Sequence, residues 1–236
     1  MQSIMIDNSL EIVRNHDPDR FLLAITSPIK HRKALFAVYA LNYELAKTSE
    51  VVSDPMIGHI RLQWWKDAIH EIFDGQKPRQ HEVVEPLAKC IKQYDLQQKD
   101  FHDLIDARKY ELDHHDCETA QDFEAFARSL HHSILKITCD ILGQEEEHLE
   151  KIAQLCSIVG LIRNIPAQLN QRKLYFPKNL LENKNLSLQN ILDFRKEDQL
   201  CEIIFEYLQT LEFSKDFKAT SKIGKKSLKL IFFSKV

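Results

Sequence analysis

The stretch CSIVGLIRNIPAQLNQRKLYFP, Cys156 to Pro177, decides how the chain is read. Its apolar residues recur at helical spacing up to Ile165, and Pro166 falls where such a helix must end or kink. A loop then closes on the basic-aromatic hook Arg172-Lys173-Leu174-Tyr175-Phe176-Pro177. Ser157, Gly160, Asn164 and Gln168 are three or four residues apart, which predicts one shared helix face. Arg163 stands beside that face, and no acid stands on it.

Outward from this block the chain reads as helix after helix. Asp17-Pro18 and Asp54-Pro55 each pair an N-cap aspartate with a proline at the first helical position. Helices are predicted over Arg20–Thr26, Ile29 to about Val52, Met56–Phe73, Pro86–Tyr94, Gln98–Leu112, Ala120–Leu142, Glu145–Ile165 and Glu197–Leu211. Leu180 to Leu192 reads as turn-rich. In the helix Met56–Phe73, Leu62, Trp65, Ile69 and Ile72 form one stripe, with Trp64 on its edge, and both tryptophans are expected in the core. Five glycines and few hairpin dipeptides argue against strands. The expected fold class is all-α, with a lead-in helix over residues 1–16, one helical domain over 17–212 and a Lys/Ser-rich tail over 213–236.

Composition narrows the function. Hydrophobic residues are 44% and charged residues 28%, as in an ordinary soluble domain. A net charge of -3 leaves no strongly basic field, so nucleic acid is not expected as a partner. Five cysteines without a C-x-x-C pair read as reduced thiols. Asp7 and Glu11 interrupt any signal-peptide core, and no apolar run reaches the ~18 residues of a membrane span. A cytoplasmic protein, peripheral at most on an inner membrane, is the expectation. Asp113-His114-His115-Asp116-Cys117 holds zinc-type ligands, but neighbours in sequence diverge rather than converge on an ion, so a solvated helix end is expected. His131-His132 likewise cannot share a face. No G-x-S-x-G, Walker loop or H-E-x-x-H is present.

Several blocks in this order resemble the squalene/phytoene synthase family: DRFLLAITSPIKHRKALFAVYAL, IRLQWWKDAIHEIFDGQ, HEVVEPLAKCIKQYDLQQKDFHDLIDARKYELD, DFEAFARSLHHSILKITCDILG and the opening block itself. The resemblance implies an isoprenoid-synthase-like helical bundle around a central cavity, shortened at its last helix. The family's enzymes couple isoprenyl diphosphates, and two D-x-x-x-D pairs hold magnesium against the departing diphosphate.

Carried onto this chain, the family tyrosine is Tyr39 and the basic position after it is Tyr43. The first aspartate pair becomes Ala46 and Glu50. The Q-x-x-N pair becomes Ser157 and Gly160, and the second aspartate pair becomes Asn164 and Gln168. Arg163 is kept, as are Arg172 and Tyr175 of the R-x-Y hook. None of the four metal-binding aspartates remains. If metal stabilisation supplies several kcal/mol, its loss costs at least ~10³-fold in rate.

A catalytically degenerate branch of the family, similar to a mitochondrial assembly factor for respiratory complex I, is resembled more closely still. Its A-x-N-x-E-L-A is matched by Ala40 to Ala46, its I-G-x-x-R-x-Q-F-W-K by Ile57 to Lys66, and its L-R-x-x-P by Ile162 to Pro166. The expectation is therefore a non-catalytic member that supports biogenesis of a membrane complex, with a membrane subunit or membrane surface as partner and no cofactor. Two alternatives stand beside it. One is a prenyltransferase using magnesium through unusual ligands. The other is a carrier of an isoprenoid or other lipid.

Overall fold

The computed structural model describes residues 8–52, 54–113, 116–144, 149–192 and 196–211, and at Glu50 and Glu197 the backbone alone. Twelve helices run through them: α1 (Asn8–His16), α2 (Pro18–Thr26), α3 (Ile29–Val51), α4 (Pro55–Phe73), α5 (Val84–Tyr94), α6 (Gln98–Asp113), α7 (Ala120–Leu142), α8 (Leu149–Arg163), α9 (Ile165–Asn170), α10 (Lys178–Glu182), α11 (Leu188–Leu192) and α12 (Glu197–Thr210). Among the described residues the one extended pairing is a parallel bridge between Cys117 and Pro177. The all-α expectation holds. Residues 1–7 of the expected lead-in helix and the tail over 213–236 lie outside the described residues.

Both Asp-Pro starts do what their chemistry predicts. The Asp17 side chain accepts from the Arg20 N–H at 3.0 Å, and Asp54 accepts from the Met56 N–H at 2.9 Å. Each bond satisfies a donor that the first helical turn leaves without a partner. The stretch expected to be turn-rich after Leu180 instead forms the two one-turn helices α10 and α11, separated by a turn in which Asn185 takes a left-handed φ of 54°.

The chain divides into two compact units. The first takes Met1–Asp113 and Arg128–Gln154. Its core draws Leu35, Leu41 and Leu45 from α3, Leu62 and Ile69 from α4, Leu87 from α5, Phe101, Leu104 and Ile105 from α6, and Ile134 from α7, all fully buried. Gly58 marks the tightest approach: a Cβ there would come within 2.6 Å of a Leu112 methyl. The two tryptophans part company. Trp65 is buried in the stripe, whereas Trp64 is 37% exposed, with the Arg79 guanidinium 5.1 Å from its ring centroid. The core expectation for Trp64 is thus corrected: its position on the edge of the stripe leaves one face to an arginine.

The second unit takes His114–Ala127 and Leu155–Val236. An aromatic trio of Phe123, Phe176 and Tyr207, with centroids 5.6 to 5.8 Å apart, forms its centre. Backbone bonds from the Lys178 N–H to Cys117 O at 2.9 Å and from the Asn179 N–H to Glu118 O at 3.1 Å tie the end of the hook to the segment before α7. Lys178 adds an ammonium held by Asp116 and Glu118, each at 2.8 Å. Of the expected zinc-type cluster, His114 and His115 lie outside the described residues, and Asp116 is engaged in that ion pair. None of the five cysteines is in a disulfide, and burial pushes Cys90 up to about 12 and Cys117 up to about 11, which keeps both protonated and unreactive.

Candidate functional site

The expected site residues fall in both units, Tyr39 to Glu50 in the first and Ser157 to Tyr175 in the second, and each group is described by itself.

In the first unit α3 carries Tyr39, Tyr43, Ala46 and Glu50. Tyr39 is buried; its hydroxyl accepts from Thr138 Oγ1 at 3.4 Å, and burial holds its pKa above the ordinary phenol value. Tyr43 is half-buried and stacks on His16, with centroids 4.4 Å apart and rings 9° from parallel, while Lys47 Nζ lies 5.5 Å from its centroid. Ala46 is half-buried and offers no ligand atom. Glu50 belongs to the last turn of α3, and its side chain lies outside the described ones.

Further polar residues belong to this unit. Ser49 Oγ donates to the Ala46 carbonyl at 3.0 Å and reaches Glu111 Oε1 at 3.4 Å. Glu111 is salt-bridged to Arg108 at 2.9 Å, and both residues are about nine-tenths buried. Buried Asn42 Oδ1 has no hydrogen-bond partner among the described residues. On α7, burial first and then the Arg20 and Arg108 charges push His131 down to about 3, so its imidazole is neutral. The signal for Arg108 and Glu111 was present as an i,i+3 pair, a spacing that more often marks a solvated face.

In the second unit the break comes earlier than Pro166. Helix α8 stops at Arg163, and Asn164 adopts φ -88° and ψ 2° before α9 restarts. The one-face expectation therefore fails across Asn164. Ser157 and Gln168 are buried, Gly160 is half-buried, and Arg163 and Asn164 are exposed. The physical reason is Pro166, which has no N–H for the Ile162 carbonyl and whose ring crowds that carbonyl, so the helix cannot run on through it.

Gln168 joins the two sides of the break. Its Nε2 donates to the Leu161 carbonyl at 2.8 Å, and its Oε1 accepts from the Tyr175 N–H at 2.9 Å. Its own carbonyl accepts from the Lys173 N–H at 2.9 Å and the Gln171 N–H at 3.0 Å. One amide thus staples the end of α8 to the hook. The hook itself is split: Arg172, at a left-handed φ of 57°, is exposed, whereas Tyr175 is buried against Phe126 with centroids 5.4 Å apart.

A magnesium-diphosphate centre needs several converging carboxylates. At the positions where the pairs would stand, Ala46 has no oxygen to offer, Asn164 has one neutral amide oxygen, and Gln168 has both amide atoms committed. Leaving Glu50 aside, these residues do not fit such a centre.

Comparison with known proteins is consistent with the fold. The profile described as squalene/phytoene synthase matches residues 13–212. A human protein named NADH dehydrogenase (ubiquinone) complex I, assembly factor 6 is 27% identical over 201 residues, covering 84% of this chain and 60% of its own length. The homolog of that factor from Dictyostelium discoideum is 25% identical over 197 residues, covering 80% of this chain and 54% of its own. The chain thus spans little more than half the length of these relatives. Among solved structures, the squalene synthase HpnC from Alicyclobacillus acidocaldarius superposes with a TM-score of 0.71 at 17% identity, over 96% of this chain and 90% of that one. A dehydrosqualene synthase in complex with ligand gives 0.66 at 13% identity, over 94% and 83%.

Proposed function

The chain belongs to the squalene/phytoene synthase family, and from that premise we propose that it is a non-catalytic member that supports the biogenesis of respiratory complex I. The observation that carries the first half of this reading is Gln168. At a position where the family's enzymes are expected to hold magnesium, the side chain is neutral, buried and spent on Leu161 O and the Tyr175 N–H. Such a residue holds the fold together and cannot turn to an ion without undoing the hook. The second half rests on the relatives, which are named as assembly factors for that membrane complex. In this reading the chain uses no metal cofactor, and its partner is a membrane subunit of the complex or the membrane around it, approached from the cytoplasmic side.

Two experiments test the halves separately. Purified protein incubated with farnesyl or geranylgeranyl diphosphate and magnesium should release no diphosphate above the uncatalysed rate, and magnesium-dependent release would overturn the non-catalytic half. Deleting the gene should lower the amount of assembled complex I while leaving other respiratory complexes at their normal level. Unchanged complex I would overturn the assembly half.

A further inference from the structure

We propose that the corner where α2 turns into α3 is a docking surface for an anionic lipid bilayer. Three large apolar side chains project there: Leu22 and Leu23 are each 57% exposed, and Ile29 is 79% exposed. The corner is internally braced. Thr26 Oγ1 donates to the Leu22 carbonyl at 2.8 Å, Ser27 Oγ donates to the Leu23 carbonyl at 2.7 Å, and Arg32 Nε donates to the Ser27 carbonyl at 2.9 Å. The polar backbone at the end of α2 is thereby satisfied locally, which is what a segment entering the headgroup region requires.

Charge selects the partner. From Phe21 to Tyr43 the sequence holds no acid. Lys30 and Lys33 are exposed, and among the described residues neither forms an ion pair. Tyr94 ties α5 to this corner by donating to the Lys30 carbonyl at 3.1 Å. Of the acids on or beside these elements, Asp17 is held by Arg20 at 2.6 Å, Asp19 stands one turn before Leu22 and Leu23, and Asp95 follows the end of α5, whereas Glu44 and Glu50 belong to the far half of α3 and Glu82 and Glu85 to the start of α5. An apolar tip rimmed by lysines matches a bilayer, because the acyl boundary takes the tip while lysine stems run up to phosphate headgroups.

A second exposed apolar stripe makes the contrast. Met56, Ile57 and Ile60 on α4 are 64%, 52% and 63% exposed, but Asp54 caps their helix and Asp67 and Asp113 are exposed on α4 and α6. Arg61 and Lys66 are the Lys/Arg residues of α4, and Lys66 is paired with Asp106 at 3.1 Å, so the positive charge beside that stripe is weaker.

The proposal deepens the membrane contact in the reading above and rests on that reading; the experiment reads lipid binding alone, so its failure is separable from the diphosphate assay. The full chain is floated with vesicles of phosphatidylcholine, and with vesicles in which part of it is replaced by phosphatidylglycerol. Binding is expected on the anionic vesicles and should weaken as salt rises. Lys30→Gln with Lys33→Gln should lower the partition coefficient about fivefold per lysine. Leu22→Ser/Leu23→Ser/Ile29→Ser should abolish flotation, and Ile60→Ser should float like the parent. These side chains are exposed, so thermal unfolding should be unchanged and serves as the folding control. Equal flotation on neutral vesicles would overturn the proposal, as would a lysine variant that floats like the parent. A triple variant whose loss of binding accompanies dissociation of a dimer would overturn it too, because the corner would then be an interface between copies.

Discussion

Replacing Gln168 by glutamate changes one atom and puts the staple between α8 and the hook to a test. The parent amide donates to Leu161 O at 2.8 Å and accepts from the Tyr175 N–H at 2.9 Å in a site only 4% exposed. An ionised carboxylate can still accept from Tyr175, but it turns a second oxygen against the Leu161 carbonyl. Losing that bond and leaving the buried carbonyl unsatisfied costs about 2–4 kcal/mol. A protonated carboxyl, by contrast, reproduces the amide: its O–H donates to Leu161 and its carbonyl accepts from Tyr175. The introduced group should therefore hold its proton more tightly when folded than when unfolded. With the folded pKa raised, there is no penalty below the unfolded carboxyl range. Above that range the penalty grows by about 1.4 kcal/mol per pH unit until the folded group ionises. Denaturant unfolding of parent and Gln168→Glu at intervals from pH 4 to 8 gives the curve. Gln168→Ala, which loses both bonds at every pH, should be destabilised by an amount that hardly varies. If Gln168→Glu is as stable as the parent at pH 8, or if its deficit is the same at pH 4 and pH 8, the staple reasoning is wrong.

Three further outcomes are expected. Arg108→Met should cost about 3–5 kcal/mol by leaving Glu111 buried and unpaired, and adding Glu111→Leu should recover most of that loss in equilibrium unfolding. His131 is held at about 3 in the folded state, so the unfolded chain binds a proton that the folded chain refuses. Stability should then fall by up to about 1.4 kcal/mol per pH unit as pH drops through the ordinary histidine value of ~6.5 towards 3, and His131→Gln should flatten that limb. Arg172→Gly should change the stability measured by denaturant unfolding by less than about 1 kcal/mol, because relief of the left-handed strain is offset by extra freedom in the unfolded chain.

The helices were legible because their causes are local. Asp17-Pro18 and Asp54-Pro55 name their own starts, and the stripe Leu62, Trp65, Ile69 announces a buried face. Pro166 also announced trouble, though the chain breaks at Asn164, two residues before it. What a sequence cannot display is where a polar side chain finds its partner. Gln168 stood on a supposed cavity face until Leu161 O, seven residues back, and the Tyr175 N–H, seven residues on, claimed both ends of its amide. A glutamine two residues beyond a proline that breaks a helix was the available clue. Arg108 and Glu111 were overlooked because their burial depends on packing against distant helices, which the spacing of charges does not encode. Arg172 and Tyr175 looked like one functional hook, yet a left-handed turn at Arg172 sends one outward and leaves the other inside.

The interleaving of the two units bears on how the chain is made. One unit needs Arg128–Gln154 in addition to everything up to Asp113, and the other needs His114–Ala127 before Leu155 onward can join it. A nascent chain that has emerged as far as Asp113 has therefore completed neither. The aromatic residue Phe123 must wait for Phe176 and Tyr207 to leave the ribosome before its two ring partners are present. At ordinary rates of synthesis, about 5–20 residues per second, that interval lasts several seconds. During it the phenylalanine lacks both rings that flank it in the finished fold, and that is the interval in which a chaperone would act.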